Sequence, residues 1–222
     1  MSNTYLVGEQ TKRRIFKESK KLFYKKGFTE TTYDEISTAA KINRALIPYH
    51  FKNKMILGQE IYNELMKEFT TSLDLILDTE QFSSELTGVI HIMAYYRLLA
   101  NPRYCRFVFQ LLSDEDFSIS LSEDQNLITY CLGSKTSRFD STDIDIICQM
   151  GTGIKKEIIR IIYTDKKETD IDHLVMIKLH MLLGYIGYSK KKIDELADAA
   201  ITLLNLLSFQ VKNNFTIEIT YK

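Results

Sequence analysis

Thr32-Tyr33-Asp34-Glu35-Ile36-Ser37-Thr38-Ala39-Ala40-Lys41-Ile42-Asn43-Arg44-Ala45-Leu46-Ile47-Pro48-Tyr49-His50-Phe51 is the stretch that decides the fold of this 222-residue chain. Thr32 and Glu35 have capping-box spacing: the threonine hydroxyl can take the Glu35 N–H while the glutamate carboxylate reaches back to the cap. That spacing predicts a short helix over 33–40, with Ile36 and Ala40 turned inward. Asn43 is a good N-cap for another short helix over 44–50. Two short helices joined by Lys41-Ile42-Asn43 make a helix-turn-helix over about 32–51.

Upstream, 9–26 reads as a longer helix with Ile15, Ser19, Leu22 and Phe23 on one face and Gly27 as its stop. Downstream the texture changes to long amphipathic helices. These are expected over 54–77, with a stripe of Leu57, Ile61, Leu65, Phe69, Leu73 and Ile76, over 84–100, and from Asn101-Pro102 onward. A second capping box, Ser120 to Glu123, predicts a helix to about 132, followed by a loop to 140. Further helices are expected over 142–163, 172–188 and 190–213, the last capped by Ser189 and carrying Ile193, Leu196, Ala197, Ala200, Leu203, Leu204, Leu207 and Val211 on one face. Phe215–Tyr221 alternates like a short strand. Gly151 and Gly153 fall mid-helix, which predicts close packing, a kink or room for a ligand. Only two prolines interrupt the sequence. The expected architecture is therefore all-α, nine to ten helices, with a three-helix N-terminal domain over 1–55 and a larger helical domain over 56–222.

The formal net charge is zero, but residues 1–57 hold twelve Lys/Arg against five Asp/Glu, and the remainder carries the opposite excess. A chain that concentrates positive charge at one end offers that end to a polyanion. Helix 172–188 has two apolar faces, Leu174, Ile177, Met181 and Tyr188 on one and Val175, Leu179, Leu182 and Ile186 on the other. A helix apolar on both sides must be covered on both: one side by its own core and the other by a second copy of the chain, or both by its own core as the central helix of a monomer.

Other chemistry is thin. Cys105, Cys131 and Cys148 lack CxxC spacing and read as small core residues. His173 and His180 stand seven apart, not three or four, so no metal is expected. Gly151-Thr152-Gly153 is too short and too deep in a helix for a phosphate cradle. No nucleophile-base arrangement has a recognisable local signature, so neither catalysis nor a cofactor is expected. The start lacks a secretory layout and no stretch is long and apolar enough to span a bilayer, which gives a cytoplasmic expectation with no membrane partner.

The ordered run from Ile15-Phe16 through Gly27-Phe28, Thr31–Ser37, Ala39–Lys54 and Leu57 resembles, without gaps, the N-terminal domain of TetR-type regulators. The resemblance covers about residues 10–60. It implies a homodimeric repressor that binds palindromic duplex DNA and is released by a small-molecule effector held in the larger domain. Matching positions imply DNA contacts from Thr32 at a helix N-terminus, Tyr33, Tyr49, His50 and Lys54. Arg44 can fork onto guanine, and Asn43, Ala45 and Leu46 lie on the leading turn. Dimerisation is expected through 172–188 and 190–213. Effector contacts are expected from the semi-polar and aromatic residues Tyr104, Phe107, Tyr130, Met150 and His180. Pro48 departs from the family pattern, which places an aromatic there. Inside a helix starting at Arg44 it would remove one N–H bond and predicts weakened nonspecific binding. Rival readings are a helical ligand-binding protein that has lost DNA binding, or a membrane-surface protein using its basic first helix.

Overall fold

Helix α1 (Asn3–Lys26) starts earlier than its apolar periodicity and buries Ile15, Ser19 and Phe23. It ends at Gly27, whose φ of +104° suits glycine. A Cβ there would stand 2.8 Å from Gln110 Oε1 and 2.5 Å from a Glu30 carboxylate oxygen. Helices α2 (Tyr33–Ala40) and α3 (Leu46–Phe51) pack Ile36, Ala40, Ile47 and Phe51 beneath α1, making the three-helix head. Helix α4 (Lys54–Leu77), capped by Asn53 Oδ1, leaves the head and runs into the body with Leu57, Ile61, Leu65, Phe69 and Leu73 buried. The boundary drawn from the sequence at residue 55 thus falls in the first turn of one continuous helix.

The body continues through a 3-10 turn (Thr79–Gln81), α5 (Ser84–Leu98), α6 (Pro102–Leu112), a helical piece α7 (127–131), α8 (Ser141–Thr164), α9 (Ile171–Tyr185) and α10 (Lys190–Asn205). This computed structural model describes residues 3–114, 127–131, 139–164 and 170–222. The Ser120 capping box, most of the 133–140 loop and the connection at 165–169 lie outside the described residues. Helix α5 is apolar nearly all round and is accordingly the central helix, enclosed by α9 and α10.

Two expectations are corrected. The last helix stops at Asn205, and residues 207–212 form strand β1 (Leu207–Lys212), paired antiparallel with β2 (Thr216–Tyr221). Leu207 and Val211 satisfy both a helical and an alternating pattern. Asn213-Asn214 supplies the turn that resolves the ambiguity, with Asn214 at φ +63°. The hairpin lies along α4 and reaches back to α1. Helix α8 also runs through Gly151 and Gly153 unbroken. A Cβ at Gly153 would meet nothing within 4 Å, so close packing does not explain that glycine.

Gly58, buried on α4, lies where head and body approach closely. A Cβ there would lie 2.8 Å from both Leu111 Cδ2 of α6 and Phe28 Cε2. Gly58→Ala is expected to lower unfolding free energy by about 1–3 kcal/mol despite the better helix propensity of alanine. Urea denaturation checks this.

Candidate nucleic-acid interface and internal cavity

The capping box exists as read. Thr32 Oγ1 accepts from Glu35 N at 3.3 Å, and the Thr32 N–H donates to Glu35 Oε2 at 3.0 Å. Glu35 also pairs with Lys26 of α1. That contact, followed by the Thr32 backbone bond, holds its carboxyl down at about 2. The box accounts for the Thr32 and Glu35 N–H groups, so a phosphate at the start of α2 would meet those of Tyr33 and Asp34 beside the Glu35 carboxylate.

The turn is tighter than the sequence suggested. Lys41 takes a left-handed φ of +52°, and Asn43 Oδ1 accepts from Ala45 N at 2.9 Å, closing a turn before α3 begins at Leu46. Arg44 is therefore in the turn, not in the helix. It is exposed, donates to both carboxylate oxygens of Asp34 at 3.0 and 3.2 Å, and stands 5.8 Å from the Tyr33 ring. The later start also corrects the reading of Pro48. As the third residue of α3 it occupies a position whose N–H has no helical acceptor, so no interior bond is lost. Tyr49 is 80% exposed and packs edge-on against His50, which is half-buried. Asn43, Arg44, Ala45 and Tyr49 are exposed, and Leu46 is half-buried.

Lys54 belongs to a different part of the geometry. Its ammonium donates to the carbonyls of Phe28, Thr29 and Thr31 at 3.0, 3.2 and 3.0 Å, and burial pulls its pKa down. Three donors on three carbonyls tie the α1–α2 loop to α4, so Lys54 orients the head instead of projecting from it. Helix α6 grips the same region from below. Arg106 donates to the Tyr24 and Lys25 carbonyls at the end of α1, and Gln110 Oε1 accepts from the Phe28 and Thr29 N–H groups. Much of the positive charge on α1 faces acids. Lys12 meets Glu60, and Lys20 meets Glu64 at 2.9 Å. Lys41 and Lys52 are exposed.

In the body, a cavity of about 50 Å³ lies between α4, α5 and α7. Met66, Phe69 and Thr70 form one wall, Gly88, His91, Ile92 and Tyr95 the next, and Leu127 and Tyr130 the third. Of the five effector candidates, Tyr130 lines it. Tyr104 stands one contact away, its hydroxyl 4.0 Å from the Met66 sulfur. The other three lie away from it: Phe107 packs in an aromatic cluster under the head, Met150 is exposed on α8, and His180 pairs with Asp194 at 2.8 Å. Sequence reading missed His91, whose Nε2 lies 2.7 Å from Asp74 of α4. It also missed Lys155 and Lys178, both buried, whose ammonium groups donate to the Tyr62 and Tyr96 hydroxyls at 3.2 and 3.3 Å. No local signal marks a lysine for burial. Cys105 is inert as a nucleophile, its thiol pushed up to about 12 by burial.

Residues 15–61 match the family model described as bacterial regulatory proteins, tetR family. Among curated relatives, the chain is 28% identical over 103 residues to the biofilm operon icaADBC HTH-type negative transcriptional regulator IcaR of Staphylococcus epidermidis, an alignment covering 46% of this chain and 54% of that protein. It is 34% identical over 103 residues to the probable HTH-type transcriptional regulator YttP of Bacillus subtilis, covering 45% and 49%. The chain thus spans about half the length of the curated relatives it matches. In fold it is similar to RolR in complex with resorcinol, with a TM-score of 0.64 at 17% identity over 86% of this chain and 95% of that one. The SmeT–triclosan complex follows at a TM-score of 0.50 and 17% identity, over 79% and 90%. The likeness in fold therefore extends well beyond residues 15–61.

Since Glu35 titrates far below an unfolded glutamate at roughly 4.3, its contribution to stability is whole above that pH and is lost as pH falls toward about 2. Hydrogen exchange of the α2 amides is expected to show protection unchanged from neutral pH down to about 5, then declining. Thr32→Ala should cost about 1 kcal/mol by denaturation.

Proposed function

We propose that the protein is a ligand-responsive transcriptional repressor that binds palindromic duplex DNA as a homodimer in the cytoplasm and is released by a small molecule. The observation that carries this is the exposure of Asn43, Arg44, Ala45 and Tyr49 on a tetR-family head whose apolar side is fully used in packing. Arg44, held in register by Asp34, reads a base edge. Thr32, Tyr33, Leu46, Tyr49 and His50 meet backbone and neighbouring bases, and Lys54 sets the angle of entry. Among the described residues no helix is long and apolar enough to cross a membrane.

The dimer face is α9. Ile177 and Met181 are 46% and 52% exposed and Tyr185 lies beside them, while Val175, Leu179 and Leu182 on the opposite side are buried. A Cβ on Gly184 would meet nothing within 4 Å, so the chain's own packing leaves that stripe open for close approach. Helix α10 plays a smaller part than its periodicity implied, because its apolar face is spent on α5 and α9. The effector site is the cavity around His91 and Tyr130. RolR and SmeT are seen with resorcinol and triclosan, which supports small hydroxylated aromatics as first probes. A benzene-sized molecule needs a cavity on the order of 150 Å³, so binding here requires α7 to yield.

Selection from random duplexes is expected to recover a palindrome whose affinity falls steeply with salt as phosphate counterions are released. Recovery of no duplex would overturn the proposal. Arg44→Ala should weaken the selected duplex by about 1–3 kcal/mol. Met181→Glu should yield monomers in sedimentation equilibrium, and an unchanged dimer would remove α9 from the interface.

A further inference from the structure

We infer that Phe215, at the tip of the C-terminal hairpin, is the positioning residue through which occupancy of the cavity reaches the head. Tip residues of terminal hairpins are ordinarily exposed, yet Phe215 is fully buried. It is held at φ +57°, directly after Asn214 at +63°, a backbone region that residues with a Cβ rarely adopt. The bent tip drives one ring into the seam between head and body. There it meets Tyr24 of α1 edge-on at 5.1 Å, and Phe107 and Tyr104 of α6 at 4.6 and 6.3 Å between ring centres.

The chain of contacts continues to the cavity. The Tyr104 hydroxyl donates to the Met66 sulfur, and Met66 lines the cavity wall. Cavity, Met66, Tyr104, Phe215 and Tyr24 therefore form one packed series ending on the helix that backs the reading elements. The strands behind Phe215 are fastened to the body: Asn101 Nδ2 donates to the Val211 carbonyl at 3.0 Å, and the Tyr221 hydroxyl to the Ile76 carbonyl at 2.7 Å. A plug anchored on the body and seated against α1 transmits displacement because a packed interior yields by discrete shifts rather than by smooth compression. Arg106 and Gln110 keep the head attached without the plug, but they grip carbonyls and N–H groups at the end of α1 and in its loop, not the cavity wall.

The inference rests on the cavity being the effector site, as proposed above, so its test needs no effector. Thr70 lines the cavity, and Thr70→Phe places a permanent occupant there. In the full-length protein this substitution is expected to weaken the selected duplex roughly 5- to 10-fold and to speed hydrogen exchange at the end of α1. Combined with Phe215→Leu, which keeps an apolar plug but removes the ring contacts, or with Tyr24→Leu on the other side of the same contact, the effect should shrink below about twofold. Equal effects in all three backgrounds, or no effect of Thr70→Phe alone, overturn the inference. If no duplex is recovered, DNA reading fails separately, and hydrogen exchange of α1 still decides whether Phe215 relays the cavity.

Discussion

The bond set of Lys54, one ammonium shared among the Phe28, Thr29 and Thr31 carbonyls, is the constraint on which the rest of the structure depends. The carbonyls of the loop between α1 and α2 have lost their helical N–H donors and would otherwise be under-satisfied at the edge of the core. A partly desolvated ammonium satisfies three of them at once and fixes the first turn of α4 beneath the head. Gly58, one turn further along α4, permits the close approach that this demands. Gln110 satisfies the N–H side of the same loop from α6. Head and body are therefore joined by polar groups of opposite kind meeting at one short segment, and any movement of α4 or α6 is felt there.

That junction leaves the exposed side of the head small. Helices α2 and α3 are too short to be stable alone, and their apolar residues are used against α1. What remains outward is a turn held by Asn43, an arginine braced by Asp34, and a nearly bare tyrosine. Glu35 serves both Thr32 and Lys26, which ties the start of α2 to α1. Far from the head, the cavity sits against the same long helix, α4, so the element that forms its wall also carries the head.

Much of this was legible in the chain. Thr32, Asn101 and Ser189 cap helices where the sequence places them, and the stripe of α4 marks its buried face. The helix-turn-helix was clear because its signals are local. Long-range choices were not. Arg44 was placed in a helix because Asn43 is a good cap, whereas its side chain closes a turn one step later. The segment 207–212 fitted two periods, and only pairing with 216–221 settles it as strand. The cavity was obscure for a related reason: His91, Met66 and Tyr130 come from three elements with no shared spacing. Phe107 and His180 looked equally suitable until packing claimed them.

The central claim is that two copies of this head enter adjacent major grooves on one side of a duplex. Hydroxyl-radical footprinting of the selected duplex tests it most directly. The account predicts two protected windows on each strand, centred about one helical turn, roughly 10 base pairs, apart. A single window, or protection spread evenly along the duplex, would contradict it.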